Sequence, residues 1–392
     1  MRISIVVAVL AAVVLGSFIA EAGIAGGRLS LPQPRWDAPR PLFASSDGDE
    51  DEGPPLVEVS GSFAFQAIYD DNILRYPGNW IEDFRRNDPP EKFEVETHDD
   101  LILSPRLFLR FDSNRLAARE TRLYFGYITW QYTQNSIKNN DLWLFRLRQY
   151  TARRDYLEAS YSFSPPSYIK ALSDREPFQS RATTPLEWKG FKGVRHGIAL
   201  GYSKRMWGNY DFWFEGERVL RFYNRPFMEN DNKEWNGSFQ VTWNNWDDWR
   251  IRAKYQYSDA TSRAIDTVGE TRETSDDGDG SYERDLYELR IRHRPDGLWP
   301  FKEFEIKGQY MGYYFTNKRP VWEDPLHSGR QDDVYYLELT SGSETLFDSY
   351  SFELGYRYAQ RTSSLPGTFE GEDAEDKDYE NNRAWVELRY SF

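Results

Sequence analysis

The residues of this chain that could do chemistry are charged side chains that recur at every second position of short segments. Arg250, Arg252 and Lys254 alternate with apolar residues, and Arg290 and Arg292 do so in a later segment. A period of two places alternate side chains on opposite faces of a β-strand. Charges arranged in this way line one surface of a sheet. There they can select solutes by size and sign, or they can pair with each other across strands.

Residue patterns typical of catalysis or of a metal site are not found. The histidines, which are His98, His196, His293 and His327, belong to no recognisable nucleophile or metal motif. The chain has 63 Asp and Glu residues, so carboxylate pairs are expected by chance. An acidic run at 47–58 has Glu52 where a calcium loop needs glycine, and the run at 276–280 is typical of a solvated loop. The sequence therefore predicts no enzyme, no metal and no cofactor.

The composition favours a fold that exposes polar groups and also uses many aromatic residues. Of the 392 residues, 29% are charged and 17% are aromatic, and the mean hydropathy is -0.76. Disordered chains are poor in aromatic residues, whereas a transmembrane β-barrel combines aromatic girdles with a polar lumen. The net charge of -14 resides in the stretches 45–53, 261–280 and 369–380. A basic footprint for nucleic acid is therefore not predicted.

The first 55 residues are predicted to lie outside the folded domain. Residues 1–22 have a short basic start, an apolar run from Ile3 to Ala20 and an Ala20-Glu21-Ala22 site, which is typical of a secretory signal peptide. The alternative is an uncleaved anchor, because the run is just long enough to span a bilayer. Residues 23–55 are rich in proline, glycine and acid, and they predict a periplasmic lead-in to a barrel at 56–392.

From residue 57 onward the hydrophobic period is two. Segments of this kind are about as long as a tilted strand that crosses a bilayer. In the third segment both faces look apolar. The sequence predicts fourteen strands, at 57–69, 99–112, 119–133, 141–152, 154–164, 194–206, 210–223, 234–245, 249–260, 282–295, 302–316, 332–343, 345–361 and 379–392.

The predicted connections are sorted by length. The long and medium ones, which include 70–98, 134–140 and 165–193, alternate along the chain with short ones such as 207–209 and 246–248. This predicts a closed antiparallel β-barrel with short periplasmic turns, long extracellular loops and both termini in the periplasm. Closure requires the first strand to pair with the last. Loop 165–193 is the candidate for an inward-folded constriction.

The polar face of the strands predicts a set of channel-lining residues. A lysine or arginine on the lipid face at the midplane would cost about 2–4 kcal/mol, so these charges should point inward. They either line a water-filled path or neutralise each other in ladders. The predicted lining residues are Arg106, Arg110, Arg146, Arg148, Arg250, Arg252, Lys254, Glu288, Arg290, Arg292, Glu338, Glu353, Arg357, Glu387 and Arg389, and Glu303, Glu305 and Lys307 share the pattern.

Two short motifs resemble known families. The tail WVELRYSF, with Val386, Leu388, Tyr390 and Phe392 at alternate positions, resembles the C-terminal signal of Gram-negative outer-membrane β-barrel proteins. That resemblance implies recognition by the barrel-assembly machinery. The stretch AIYDDNILRYP at 67–77 is similar to first-strand ends in several poorly characterised outer-membrane barrels, some of which are linked to polysaccharide export or surface-protein assembly. The alternative is a polar strand exit, in which Asp70, Asp71 and Asn72 simply suit a turn.

These observations predict a porin-like channel of the bacterial outer membrane for passive diffusion of small hydrophilic solutes through a charged lumen. The alternatives are a dedicated conduit for exported polysaccharide or protein, and a closed structural barrel. The expected partners are outer-membrane lipid and lipopolysaccharide, the barrel-assembly machinery and small solutes.

Overall fold

A computed structural model describes residues 57–392, except 89–91, 115–118, 175–186, 247, 266–270, 272–277, 296–300, 322, 325–326, 344–348 and 366–376. The predicted signal peptide and lead-in at 1–55 lie outside the described residues and remain predictions. No helix among the described residues is long and apolar enough to cross a membrane.

The described chain forms one closed antiparallel barrel of fourteen strands, in which each strand pairs with its neighbours in sequence and β1 pairs with β14. One helix, α1 (Gly78–Arg86), and two 3₁₀ turns at Ser136–Lys138 and Met228–Asn230 lie in the connections. The strands are β1 Glu58–Asp70, β2 Asp100–Ser113, β3 Thr121–Tyr132, β4 Asn140–Tyr150, β5 Tyr156–Asp174, β6 Glu187–Met206, β7 Tyr210–Tyr223, β8 Asn232–Trp246, β9 Trp249–Ser262, β10 Tyr282–His293, β11 Glu303–Phe315, β12 Gln331–Gly342, β13 Tyr350–Ser364 and β14 Tyr379–Ser391. The predicted fold class is confirmed.

Strands β5 and β6 are longer than predicted. Their pairing continues past residue 164, from Ser167 opposite Gly193 to Asp174 opposite Glu187, with register shifts after Ser164 and Tyr168. The prediction of a loop over 165–193 is therefore wrong for most of its length, and only 175–186 remains as a connection, outside the described residues. Pro165 and Pro166 interrupt the alternation in the sequence. The first register shift accommodates them, as a β-bulge does.

The two faces of the wall differ in polarity and in burial. On β1, the outward residues Val59, Phe63, Phe65 and Tyr69 are 42–56% exposed, whereas Asp70 on the inward face is fully buried. The same alternation settles the third strand. Its outward residues include Leu123, which is exposed, while its inward Tyr124 and Ile128 are buried. An apolar outer face on a closed sheet with no free edge is what a bilayer requires. The chain folds as an all-β transmembrane barrel.

The connections are sorted between the two ends of the barrel. One end, here called the long-loop end, carries 71–99, 133–139, 175–186, 224–231, 263–281, 316–330 and 365–378. The other, the short-turn end, carries 114–120, 151–155, 207–209, 247–248, 294–302 and 343–349. The predicted sorting holds except among the connections of intermediate length, because 294–302 is longer than both 133–139 and 224–231, and 114–120 and 343–349 are as long as 133–139. Strand β1 begins and strand β14 ends at the short-turn end.

The seam between β1 and β14 is closed at the short-turn end by main-chain pairing with Phe392. The Gly61 amide donates to the Phe392 carbonyl at 2.8 Å, and the Phe392 amide donates back at 2.9 Å. A Cβ on Gly61 would lie 2.7 Å from the Phe392 ring and 2.8 Å from the Phe108 carbonyl oxygen. Glycine is therefore required here by space and not by backbone conformation.

At the long-loop end the same seam is held by side chains of the 67–77 stretch. The buried Asp70 carboxylate accepts hydrogen bonds from the Asn72 amide at 3.1 Å and from Asn381 Nδ2 at 2.6 Å, and it also pairs with Arg383. Asn72 Nδ2 donates to the Glu380 carbonyl at 2.9 Å. The motif is therefore more than a turn, because it fastens the first strand to the last.

Candidate functional site

The barrel interior is the candidate functional site. Strand register and alternation place every predicted lining residue on the inward face: Arg106, Arg110, Arg146, Arg148, Arg250, Arg252, Lys254, Glu288, Arg290, Arg292, Glu338, Glu353, Arg357, Glu387 and Arg389. Glu303, Glu305 and Lys307 lie on the same face. Their role as channel lining stays a prediction. The structure adds which of these residues lie next to each other.

Many of these charges pair across strands in the short-turn half. Arg146 and Arg148 on β4 share Glu158 of β5, at 3.0 Å and 2.8 Å. Glu387 on β14 lies between Arg106 at 3.0 Å and Arg389 at 2.6 Å. Such ladders offset part of the positive charge of the wall, as one of the two sequence interpretations predicted, and each carboxylate serves two arginines.

A second ladder joins β10 and β11. Glu305 contacts Arg290 at 3.3 Å and Arg292 at 3.0 Å, and Glu303 contacts Arg292 at 3.3 Å. Further round the wall, Lys307 and Glu338 are 4.0 Å apart. The carboxylates of this sector therefore serve the cations of β10 and β11.

The long-loop half of the interior combines aromatic and apolar clusters with buried ion pairs, such as Arg221 with Glu234 and Arg330 with Asp332. A cluster of buried inward residues runs from β9 to β14, and it consists of Ala260, Tyr282, Leu286, Met311, Tyr313, Val334, Tyr336, Ala359 and Tyr379. A smaller cluster joins Phe108, Ile128 and Leu142 on β2, β3 and β4. The sequence analysis expected a polar lumen along its whole length and missed both. The signal was present in strands such as 303–315, where residues of both parities are aromatic.

The first long connection packs against the wall at the long-loop end, whereas residues 175–186 of the predicted constriction 165–193 lie outside the described residues. We call residues 71–88 and 92–99 the cap segment. Tyr76 and Trp80 are buried in a cluster with Tyr168 of β5. The Trp80 ring lies 6.4 Å from that of Trp188 on β6, and Lys92 Nζ lies 3.7 Å above the Trp80 ring. The cap segment is thus anchored on one side of the barrel.

The cap segment also reaches other sides of the wall. The Arg75 guanidinium lies 5.6 Å from the centre of the Tyr379 ring on β14, and it interacts electrostatically with Tyr336 on β12. These strands are several neighbours away from β5 and β6 around the barrel. A segment in contact with both sectors crosses the barrel mouth. The sequence predicted such an inward-folded position for loop 165–193.

Titratable groups near this end have environments that shift their pKa values. Lys138 in the 133–139 connection donates from Nζ to the Ile169 carbonyl at 3.0 Å, and burial lowers the pKa of its ammonium to about 7. Burial raises the pKa of the Asp231 carboxyl to about 7, against the opposing effect of Arg263. Both groups therefore change charge near neutral pH.

The remaining predicted site residues have simple placements. Val386, Leu388, Tyr390 and Phe392 lie on the outward face, and each is at least 40% exposed. Of the acidic run 276–280, only 278–280 are described. Asp279 accepts from the Ser281 amide at 3.0 Å. The described residues contain no group of three or more His, Asp or Glu side chains placed to hold a metal ion.

Comparison with known proteins finds no matching family model and no matching curated sequence. Among solved structures, a bacterial polysaccharide outer membrane secretin is similar at 11% identity and a TM-score of 0.39, over 84% of this chain and 98% of its own. The anion-selective porin from Comamonas acidovorans has 9% identity and a TM-score of 0.39, over 86% and 99%. The outer membrane channel DcaP of Acinetobacter baumannii has 10% identity and a TM-score of 0.43, over 86% and 97%. Identities and TM-scores this low leave the barrel's own geometry as the basis for a functional assignment.

Proposed function

We propose that this protein is a channel of the bacterial outer membrane through which small hydrophilic solutes diffuse passively. One observation carries the proposal: a closed barrel has an apolar outward face and a charged inward face over its short-turn half. A barrel of fourteen strands is wider than the eight-stranded case, whose interior side chains just fill. Charged walls around such a space attract and sort hydrated solutes.

The orientation and the partners follow from the same proposal. The short turns and both ends of the barrel sheet would face the periplasm, and the long loops the cell exterior. The outward aromatic and aliphatic side chains would contact lipid and lipopolysaccharide. Val386, Leu388, Tyr390 and Phe392 would present the assembly signal to the barrel-assembly machinery before β14 closes on β1.

A second candidate is a closed or gated barrel, which a specific observation favours. The long-loop half is filled by buried aromatic residues and crossed by the cap segment. A barrel that stayed closed there would be a scaffold, and one that opened there would be a gated channel. The export-conduit alternative has less support, because the 67–77 stretch that suggested it forms hydrogen bonds to β14 at the seam.

Single-channel conductance of the refolded chain 23–392 in planar bilayers tests the proposal. We expect stable current steps, and we expect Glu338→Gln to change their size because Glu338 lies on the inward face. Leu337→Ala is the matched control, because Leu337 is adjacent to Glu338 in sequence but faces outward and is exposed. A correctly folded barrel without current steps would contradict the channel proposal and favour the closed scaffold.

A further inference from the structure

Three consecutive inward cations of β9 stand apart from the rest of the lumen. Arg250, Arg252 and Lys254 follow the short turn 247–248, so they lie near the short-turn end of the interior. We call these three residues the basic strip. No other strand begins at this end with three inward cations in succession among the described residues.

The strands on either side of the basic strip place no carboxylate directly opposite Arg252. On β10, Arg292 lies opposite Arg250, and Arg290 lies opposite Arg252. On β8, the partners of Arg252 and Lys254 are the neutral Thr242 and Gln240. Like charges placed directly opposite each other on adjacent strands are destabilising. The arrangement therefore concentrates positive charge on one sector of the wall.

The carboxylates of β10 and β11 are engaged by the β10 arginines, whereas Glu215 on β7 interacts electrostatically with Lys254. Glu305 contacts Arg290 and Arg292, at 3.3 Å and 3.0 Å. Glu303 contacts Arg292 and Arg294, at 3.3 Å and 3.0 Å. Glu288 lies opposite Lys254, but its contact is with Arg290, at 3.5 Å.

Arg252 is the middle residue of the basic strip. It has no ion pair within 4.0 Å in the described part of the chain, and its Nε is buried without a hydrogen-bond partner. Its electrostatic neighbours are Arg250, Arg290 and Arg292, with Glu288 as the one acid. The contrast is Glu158, which holds both Arg146 and Arg148 in a ladder.

We propose that the basic strip binds small oxyanions, with Arg252 at its centre, and that the channel passes anions in preference to cations. The inference rests on the proposed channel function. A guanidinium presents paired N–H donors that match the oxygens of phosphate, sulfate or carboxylate. An anion beside Arg252 would offset a charge that has no ion pair among the described residues. Because the strip lines an aqueous path, binding should be weak enough for release.

The test is the reversal potential of the full barrel in a potassium chloride gradient. We expect chloride to be several-fold more permeant than potassium, and we expect Arg252→Gln to reduce that ratio at least two-fold. Arg389→Gln is the matched control, because it removes one inward charge that is already paired with Glu387. Millimolar inorganic phosphate should reduce the chloride current of the natural chain more than that of Arg252→Gln, and acetate should act more weakly.

Each outcome bears on the inference separately from the channel proposal. Current steps without anion preference, or equal effects of Arg252→Gln and Arg389→Gln, would overturn the anion site and leave the channel intact. If the folded barrel passes no current, calorimetric titration of the detergent-solubilised chain with inorganic phosphate tests whether the anion site exists. Binding that Arg252→Gln abolishes and Arg252→Lys partly restores supports the site, and absence of binding overturns it. If Arg252→Gln does not fold, Lys254→Gln takes its place in both measurements.

Discussion

The two halves of the lumen are built from the same inward positions of the same strands, and yet they are different surfaces. In the long-loop half, inward Tyr282 and Tyr313 are buried in an aromatic cluster, like residues of a protein core. In the short-turn half, the Arg146 and Arg389 side chains keep about a fifth of their surface exposed, at 18% and 21%. Strand alternation therefore decides which face is inward, but not what the inward face does.

The difference separates two properties of the proposed channel. Charge selection would depend on the short-turn half, where the carboxylate ladders and the basic strip lie. Access would depend on the long-loop half, where the cap segment and the aromatic clusters occupy the space. A change in one half should therefore alter selectivity or access, but not both.

The largest expected effect comes from removing the main anchor of the cap segment. Trp80→Ala deletes a buried ring that contacts Trp188 and Lys92. Large-to-small substitutions of buried aromatic residues cost about 3–5 kcal/mol. We expect a loss of that order in the free energy of unfolding, measured by urea titration, together with at least a two-fold rise in single-channel conductance.

Trp207→Ala is the control for that experiment. Trp207 lies in the 207–209 turn at the short-turn end and is 77% exposed. Its removal should leave both conductance and stability nearly unchanged. Equal conductance in the two variants would show that the cap segment does not limit access.

The sequence predicted the wall of the barrel well, because the wall depends on local alternation. When the apolar face of a strand meets lipid, the charges on its other face must point inward. Arg250 and Arg290 could therefore be assigned to the inward face without a structure. Strand number, closure and the sorting of connections followed from the same pattern. The end of β5 was predicted too early. Pro165 and Pro166 interrupt the alternation there, and a bulge lets the ladder continue past them.

What the sequence could not predict depends on contacts between distant segments. Asp70 and Asn381 are 311 positions apart, and nothing in the local pattern indicates that they are bonded. The allocation of Glu305 to the β10 arginines, which leaves Arg252 without an ion pair among the described residues, requires the strand register. For the same reason the mixed set of arginine and glutamate indicates no charge preference in the sequence, and the proposed preference for anions rests on their grouping in the structure.

A smaller effect is expected at the short-turn end of the seam. In Gly61→Ala, the new methyl group would lie within 3 Å of the Phe392 ring and the Phe108 carbonyl oxygen, so the seam must shift to admit it. Overpacking of this kind typically costs 1–3 kcal/mol, and we expect about that loss in unfolding free energy and slower refolding into lipid vesicles.

Gly216→Ala is the matched control for the seam. Gly216 lies on β7, and a Cβ placed on it would meet nothing within 4 Å. This variant should refold and unfold like the natural chain. If both alanine variants behave alike, the close approach of Phe392 to Gly61 does not limit closure of the barrel.

A further prediction is a pH dependence of stability that arises at the long-loop end. Burial lowers the pKa of Lys138 from its ordinary value of 10.5 to about 7, so the unfolded chain binds the proton more tightly than the folded one between these values. Stability therefore rises with pH through this window, and below pH 7 the charged ammonium opposes folding in full. Lys138→Met should remove that rise, which urea titrations at pH 6, 8 and 10 would detect as a variant advantage that shrinks as pH increases.

Asp231 provides the opposite sign at the same end of the barrel. Burial raises the pKa of its carboxyl from 3.8 to about 7, so the folded chain holds the proton more tightly and stability falls as pH rises between these values. Asp231→Asn should remove that fall and leave the slope above pH 7 to Lys138. Two variants with opposite slopes on either side of neutral pH would assign each slope to one buried group. A common slope in both variants would instead point to a general effect of pH on the barrel or the detergent.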